Sequence, residues 1–223
     1  MSKITKVVAR QVFDSRGNPT VEAEIFVKNL SSSSICPSGA STGTYEAFEK
    51  RDKANKKYLG KSVFIPIKYI NSVISKKLKN QNIHNQERID HILIKLDGTK
   101  QKKKIGANAI LAVSMAAKKL SAKIKKIPLY KNFLVKSNYK LPYPLMNIIN
   151  GGAHANNQLD VQEIMIMPIG FDTFKEALMA GSEIFNHLKK ILNKKKNFMN
   201  LVISKSGNTI ETLVNSNILI IRY

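Results

Sequence analysis

Alternating apolar and polar residues predict a three-stranded meander at the start of the chain. Residues 4–13 and 20–27 are β-prone runs, and residues 14–19 between them read Asp-Ser-Arg-Gly-Asn-Pro, which is typical of a turn. Residues 30–36 form a third short run of the same kind. Because strands joined by short turns pair antiparallel, we expect one sheet made of these three strands.

Apolar residues with helical spacing follow this predicted sheet. One stripe is made of Ile67, Ile70, Ile74 and Leu78. A second stripe is made of Ile110, Val113, Ala117, Leu120 and Ile124. Amphipathic helices bury such stripes, so both helices should pack on the sheet. The pattern therefore predicts an α+β domain that ends near residue 138, with residues 140–143 as a linker.

Two further apolar runs lie close together in the second half of the chain. Residues 145–149 end at a Gly-Gly turn, and after a polar loop residues 161–167 form the second run. We expect two buried strands that pair antiparallel. Thr173 and Glu176 then have the spacing of a capping box, and a wide apolar stripe over residues 174–192 predicts a helix that covers the strands.

The polar loop between these two strands contains the candidate chemistry. Antiparallel pairing would bring His154, Gln162 and Glu163 to one edge of the sheet. A single histidine in an Asn-rich loop is more often an exposed turn residue than a ligand. Glu163 is more informative, because it directly precedes the apolar sequence Ile-Met-Ile-Met, where a carboxylate needs a charge or a donor to offset its desolvation.

The net charge is large, but the way it is distributed does little to restrict the class of protein. The chain of 223 residues has a formal net charge of +22, which alone would indicate a nucleic-acid partner. However, only five of the 37 basic residues are arginine, and the lysines are spread through every segment with few aromatic residues among them. Readers of nucleic acid favour arginine and aromatic side chains, so we expect solvated lysines, including the runs at 102–104 and 194–196.

Cysteine content bears on the compartment of the protein, and hydropathy bears on membrane insertion. The single Cys36 excludes an internal disulfide, which favours the cytoplasm. The first ten residues lack the apolar core of a signal peptide, and no run approaches the roughly 18 apolar residues of a membrane span. We therefore expect a cytoplasmic protein without a membrane partner.

Five sequence motifs together resemble one known family. They are Asp-Ser-Arg-Gly-Asn-Pro-Thr-Val-Glu at 14–22, Pro-Ser-Gly-Ala-Ser-Thr-Gly at 37–43, Leu-Asp-Gly-Thr at 96–99, Gly-Ala-Asn-Ala-Ile-Leu-Ala-Val-Ser at 106–114, and the block 147–167. Their order and spacing resemble those of the enolase family, which dehydrates 2-phosphoglycerate to phosphoenolpyruvate in glycolysis. The resemblance implies a Mg²⁺-dependent hydro-lyase with an α+β N-terminal domain followed by an α/β barrel of the TIM type.

The same resemblance implies roles for individual residues. Ser41 would supply oxygen ligands to a Mg²⁺ ion, on a loop that closes over the substrate. His154, Gln162 and Glu163 would line the substrate site. Arg16 resembles a residue that pairs across the family's dimer interface, so the implied protein partner is a second copy of the chain.

The second half departs from the family pattern. A (β/α)8 barrel needs about 250 residues, whereas only 83 of the 223 residues follow Lys140. We therefore expect three regions: an enolase N-terminal-like α+β domain at 1–138, an incomplete barrel of two strands and a helix at 139–200, and an aberrant tail at 201–223.

The carboxylates after Lys140 do not provide the three metal-binding acids that the family takes from later barrel strands. They are Asp160, Glu163, Asp172, Glu176, Glu183 and Glu211. A hydrogen α to a carboxylate is too weakly acidic to leave unless bound metal stabilises the charge that develops. No catalytic residue is therefore assigned, and we expect the isolated chain to be inactive.

Two explanations of the tail remain open. Residues 202–209 resemble the family's phosphate-binding segment Ser-His-Arg-Ser-Gly-Glu-Thr with one residue missing, which would make Ser206 a phosphate ligand. Alternatively, residues 205–213 are a damaged version of the stretch that follows the family's Gly-Asp-Glu-Gly-Gly segment. In either case, the apolar end at 217–223 would be an unpaired β-prone run.

Two functions from other classes remain as alternatives. One is a non-catalytic remnant that dimerises through the N-terminal domain. The other, which the distribution of lysine argues against, is a basic protein that binds nucleic acid and would be retained on heparin in a salt-dependent way.

Overall fold

The computed structural model describes residues 2–39, 43–54, 56–133, 139–152, 159–194 and 217–222, with residue 194 and the last six described by their backbone alone. The chain divides into two compact units, Met1–Ser137 and Asn138–Tyr223. Within the described residues, no helix is long and apolar enough to cross a membrane.

Unit 1 begins with the expected meander. Strands β1 (Lys6–Phe13), β2 (Pro19–Val27) and β3 (Leu30–Cys36) form one antiparallel sheet in the order β1-β2-β3. Its register places Lys6 opposite Phe26 and Val21 opposite Cys36. The period-two pattern of the sequence is sufficient to predict this sheet, because every connection in it is short.

The helices of unit 1 follow the sheet along the chain. Helix α1 (Phe64–Tyr69) continues through a π-helical segment (Ile70–Ile74) into α2 (Ser75–Leu78). A short 3-10 helix (Lys57–Gly60) precedes α1, and helices α3 (Gln86–Asp97), α4 (Ala107–Lys125) and α5 (Leu129–Phe133) follow α2. These elements confirm the α+β class predicted for the first domain.

The core of unit 1 lies between α4 and one face of the sheet. Alternate residues of β2 are buried, among them Val21, Ala23 and Ile25, and α4 packs against β2 and β3. Both predicted helical stripes point into this core, as shown by the complete burial of Ile74 and Leu120. The residues between the buried ones on β2 lie on the opposite face of the sheet.

The described part of unit 2 contains a second sheet and one long helix. Strands β4 (Met146–Asn150) and β5 (Glu163–Ile169) pair antiparallel, as expected, and α6 (Phe174–Lys194) follows them. Thr173 and Glu176 form the predicted capping box: the Glu176 N–H donates to Thr173 Oγ1 at 3.2 Å, and the Thr173 N–H donates to Glu176 Oε2 at 3.0 Å. Ala177 and Gly181 of α6 are buried.

The end of the chain contradicts one expectation. Residues 217–222, expected to be unpaired, form strand β6 (Asn217–Arg222), which pairs parallel to β5 and completes the order β4-β5-β6. A parallel partner for β5 requires a crossover connection, and α6 lies within that connection. Periodicity alone missed this pairing because the two strands are separated by almost 50 residues.

Candidate functional site

The structure describes two of the five residues that the sequence assigned to substrate, metal or phosphate. Gln162 directly precedes β5, and Glu163 is its first residue. Ser41, His154 and Ser206 lie outside the described residues, so their proposed roles remain predictions. The candidate site is therefore built from the described ends of β4 and β5.

Two asparagines lie on the same face of this sheet as Glu163. Asn150 is directly opposite Glu163, and Asn147 is opposite Met165. Residues three apart on a regular strand would point to opposite faces, but the register shifts between Asn147 and Ile149. This bulge brings both asparagine side chains to one face, as bulges next to functional sites commonly do.

The two asparagines interact directly. The side-chain amide of Asn147 donates a hydrogen bond to Asn150 Oδ1, and Asn150 is buried with 7% of its surface exposed. Together with the half-buried Glu163, they present carboxylate and amide groups at one end of the sheet. Sequence reasoning missed both asparagines as site residues. The one sequence feature that could have indicated them is that they interrupt an apolar run.

Two glycines allow the connection between β4 and β5 to fold back tightly. The Gly151 N–H donates to Gln162 O, and the Gly152 N–H donates to Leu159 O, each at 2.8 Å. A Cβ atom on Gly151 would collide with Val161 O and with the Leu159 side chain. The close approach of these two segments therefore requires glycine, and it holds Gln162 beside the end of β4.

A second polar cluster anchors the start of the segment that contains Ser41. Arg51 Nη2 donates to Ser38 Oγ and forms an ion pair with Glu49 Oε1, both at 2.7 Å, and Ser38 Oγ donates to the same Glu49 oxygen at 2.6 Å. Arg51 Nη1 reaches the backbone carbonyl groups of Pro19 at 3.1 Å and Lys61 at 2.5 Å. One guanidinium thus connects three separate stretches of unit 1.

The turn between β1 and β2 supports the same segment. Arg16 Nη2 donates to the carbonyl groups of Ser38 at 2.6 Å and Gly39 at 3.1 Å. Asp14 Oδ1 accepts from the N–H groups of Arg16 at 2.9 Å and Asn18 at 2.8 Å. Burial alone would raise the pKa of Asp14, but these hydrogen bonds and the Arg16 charge hold it below its usual value.

These contacts add polar anchors to a loop for which the sequence offers no apolar ones. Its residues offer no apolar anchor to a core, and the sequence therefore predicts a mobile connection. The structure shows polar anchors at Ser38 and Gly39, made by the two arginines described above. Arg16 and Arg51, which make these anchors, both lie well away from Ser38 and Gly39 in the sequence, so the anchors have no local sequence signal.

The described residues do not by themselves make a site for Mg²⁺. This ion requires close to six oxygen ligands in octahedral geometry, some of which are usually water. The candidate site offers one carboxylate, that of Glu163, and amide oxygens from two asparagines. Across the described part of the chain, no group of three His, Cys, Asp or Glu residues is placed to hold a metal ion.

Comparison with known proteins places both units in one family. A family profile described as the enolase N-terminal domain matches residues 4–133, and one described as the enolase C-terminal TIM barrel domain matches residues 138–217. The enolase of Pelagibacter ubique is 70% identical over 195 residues, which cover 87% of this chain and 47% of that protein. The chain thus spans about half the length of the curated relative it matches.

These matches agree with the five motifs in the sequence, with the α+β unit and with the antiparallel strand pair that begins unit 2. The second profile covers the range that contains β4, β5 and α6. The chain belongs to the enolase family.

Proposed function

We propose that this chain contributes to the reversible dehydration of 2-phosphoglycerate to phosphoenolpyruvate. The strongest support is the 70% identity to an enolase over 195 residues. This stretch includes strands β4 and β5 and the tight connection that begins with Gly151 and Gly152. In this proposal Gln162, Glu163 and His154 face the substrate, and Ser41 contributes to a Mg²⁺ site. The proposed compartment is the cytoplasm.

We also propose that the 223 residues by themselves do not catalyse the reaction. Among the carboxylates after Lys140, Glu163 is the one that lies on a described strand. Glu176 is held in the capping box of α6, and Asp172 and Glu183 are exposed at or on the same helix. Asp160 is exposed in the connection before β5, and Glu211 lies outside the described residues. One strand carboxylate cannot balance the charge that develops when a second negative group forms beside the substrate carboxylate.

The experiment is an activity assay on the purified chain. It is incubated with 2-phosphoglycerate and Mg²⁺, and the ultraviolet absorbance of phosphoenolpyruvate is followed over hours. Full-length Pelagibacter ubique enolase is the positive control, and material purified in the same way from cells with an empty vector is the background. Formation of phosphoenolpyruvate by the chain above this background would overturn the proposed inactivity.

A second role, as a dimerising module, is supported by the face of the first sheet that points away from α4 within the described residues of unit 1. Arg10, Glu22 and Ile35 form a row across the three strands on the face opposite α4, with Arg10 Nε and Glu22 Oε2 2.5 Å apart and Ile35 45% exposed. Protein interfaces combine an apolar core with a polar rim, and this row offers both kinds of side chain. Sedimentation velocity should show a dimer that Ile35→Lys dissociates, and a monomer at all concentrations would remove this role.

A further inference from the structure

One asparagine of the chain is followed directly by glycine. This pair is Asn150–Gly151, and none of the other asparagines precedes a glycine. The pair is chemically labile, because the backbone nitrogen of the following residue can attack the side-chain amide of asparagine. A glycine has no Cβ atom to obstruct that attack, and its backbone reaches conformations that other residues avoid. Asn150–Gly151 is therefore the position at which the sequence most favours deamidation.

The reaction requires only the chain and water. The Gly151 nitrogen forms a bond to Asn150 Cγ, the bond from Cγ to Nδ2 breaks, and the amide leaves as ammonia with the proton from the Gly151 nitrogen. The product is a cyclic imide, which water then opens. Cleavage of the new bond to Cγ leaves aspartate, whereas cleavage of the original peptide bond leaves isoaspartate, in which the backbone runs through Cγ.

The structure restrains both groups that must react. The Gly151 N–H donates to Gln162 O at 2.8 Å, and this hydrogen bond directs the nitrogen and its proton away from the Asn150 side chain. Asn150 Oδ1 accepts a hydrogen bond from the side-chain amide of Asn147, and 7% of Asn150 is exposed. Attack on Cγ requires that these two hydrogen bonds break and that the Asn150 side chain rotates. The end of β4 must therefore open before the reaction can occur.

Both products of the reaction disturb the candidate site. Asn150 lies directly opposite Glu163 in the β4–β5 pair. Aspartate at position 150 places a second carboxylate on that face, and like charges directly opposite each other destabilise a strand pair. Isoaspartate adds a carbon atom to the backbone, which disrupts the register between the strands. Either product weakens the pairing that holds Gln162 and Glu163 beside the end of β4.

We propose that Asn150–Gly151 is a site of spontaneous deamidation, that the contacts between β4 and β5 slow this reaction, and that its products weaken the candidate site. The inference goes beyond the proposed function, because the chemistry is the same whether or not the chain contributes to the dehydration of 2-phosphoglycerate. The substrate is the chain itself. The change is irreversible because the ammonia diffuses away, so the modified fraction increases with the age of the protein.

The experiment compares the folded chain with the chain unfolded in urea. Both samples are incubated at the same mildly alkaline pH and digested, and mass spectrometry measures the fraction of each asparagine that has become aspartate or isoaspartate. In urea, Asn150 should react faster than any other asparagine. In the folded chain its rate should be lower by about tenfold or more, because two hydrogen bonds and the surrounding packing must open first. Equal rates in the two samples, or a faster reaction at another asparagine in urea, would overturn the proposal.

Matched variants test whether the contact from Asn147 slows the reaction. Asn147→Ala removes the donor to Asn150 Oδ1 but leaves the Asn–Gly pair unchanged. It should speed deamidation of the folded chain by about fivefold, the factor for the loss of one hydrogen bond, and should have no effect in urea. Asn186→Ala removes a similar side-chain donor, to Ser182 O at 2.8 Å on α6, and should change the rate by less than about twofold. Equal effects of the two variants would contradict the role of Asn147.

A further pair of variants tests the effect of the product on the site. Asn150→Asp reproduces the aspartate product, and exchange of the Gly151 N–H with deuterium, corrected for the intrinsic rate of the sequence, reports opening of the β4–β5 connection. We expect this exchange to accelerate by about threefold, because of repulsion between the carboxylates at positions 150 and 163. Glu163→Gln in the same chain should restore the original rate, because it removes one of the two charges. If Asn150→Asp does not accelerate exchange, or if Glu163→Gln gives no recovery, the proposed effect on the site is wrong.

Discussion

Replacement of Arg51 tests whether one guanidinium holds the base of the loop that contains Ser41. The side chain is 17% exposed and reaches four oxygen atoms, on Ser38, Glu49, Pro19 and Lys61, at 2.5 to 3.1 Å. Arg51→Lys keeps the charge but removes the planar set of donors that can reach several acceptors at once. Arg51→Ala removes both the charge and the donors.

The magnitude follows from the partners that each variant leaves without a donor. A hydrogen bond to a charged group contributes about 1.5–3 kcal/mol, and contributions within one network do not add. We therefore expect the free energy of unfolding to fall by about 3 kcal/mol for Arg51→Ala and by about 2 kcal/mol for Arg51→Lys. With a urea dependence of about 1–3 kcal/mol per M, the midpoint should fall by roughly 0.7–3 M.

Urea unfolding followed by circular dichroism measures these midpoints. Hydrogen exchange of the amides in β2 shows whether unit 1 is the part that is destabilised. Arg88→Lys, at an exposed position on α3, is the matched control and should change the free energy of unfolding by less than about 0.5 kcal/mol. If Arg51→Lys is as stable as this control, the geometry of the guanidinium does not hold the loop base.

Three further predictions concern residues in the motifs and in the core. Gly106→Ala should lower the free energy of unfolding by more than about 2 kcal/mol, because the residue has a φ of +104° and the new Cβ would lie 2.5 Å from Lys50 Cβ. Thermal unfolding measures this loss. The control is Gly43→Ala, whose Cβ would meet only Glu46 Cγ, at 3.8 Å. Burial alone would raise the pKa of Asp97, but hydrogen bonds from Ile105 and Thr99 lower it below its usual value. The ionised Asp97 carboxylate therefore stabilises the fold above about pH 4, and this stabilisation is lost as the pH falls through the lowered pKa of the folded state. Asp97→Asn should consequently reduce the dependence of the unfolding midpoint on acid pH. An unchanged dependence would contradict this. Burial, with a smaller effect of Glu49, raises the pKa of the Cys36 thiol to about 11, so at pH 8 a thiol reagent should label the folded chain about 100-fold more slowly than the urea-unfolded chain; comparable rates would show that the thiol is not shielded.

Local patterns in the sequence are sufficient to predict much of the fold. The meander, the stripes that include Ile74 and Leu120, the β4–β5 pair and the capping box at Thr173 all depend on residues that are close in sequence. Period-two and helical spacing indicate which face is buried, and short turns restrict which strands can pair. These elements can therefore be predicted from the sequence alone.

Features that depend on contacts between distant residues cannot be predicted in this way. The bulge after Asn147 reverses the face of one strand end, and no turn signal in the sequence marks it. Arg51 reaches its partners across the fold, and β6 pairs with β5 through a long crossover. The candidate site is consequently predicted in part: Gln162 and Glu163 are adjacent at the start of β5, whereas both asparagines were missed.

The central proposal is that these 223 residues do not by themselves stabilise the charge formed when 2-phosphoglycerate loses its α-hydrogen. The most direct test is the exchange of that hydrogen with deuterium from the solvent, measured by nuclear magnetic resonance with Mg²⁺ present, because exchange reports removal of the hydrogen even when no product is released. We predict no exchange above the rate without protein, while Pelagibacter ubique enolase exchanges it readily. Exchange catalysed by the purified chain alone would contradict the claim.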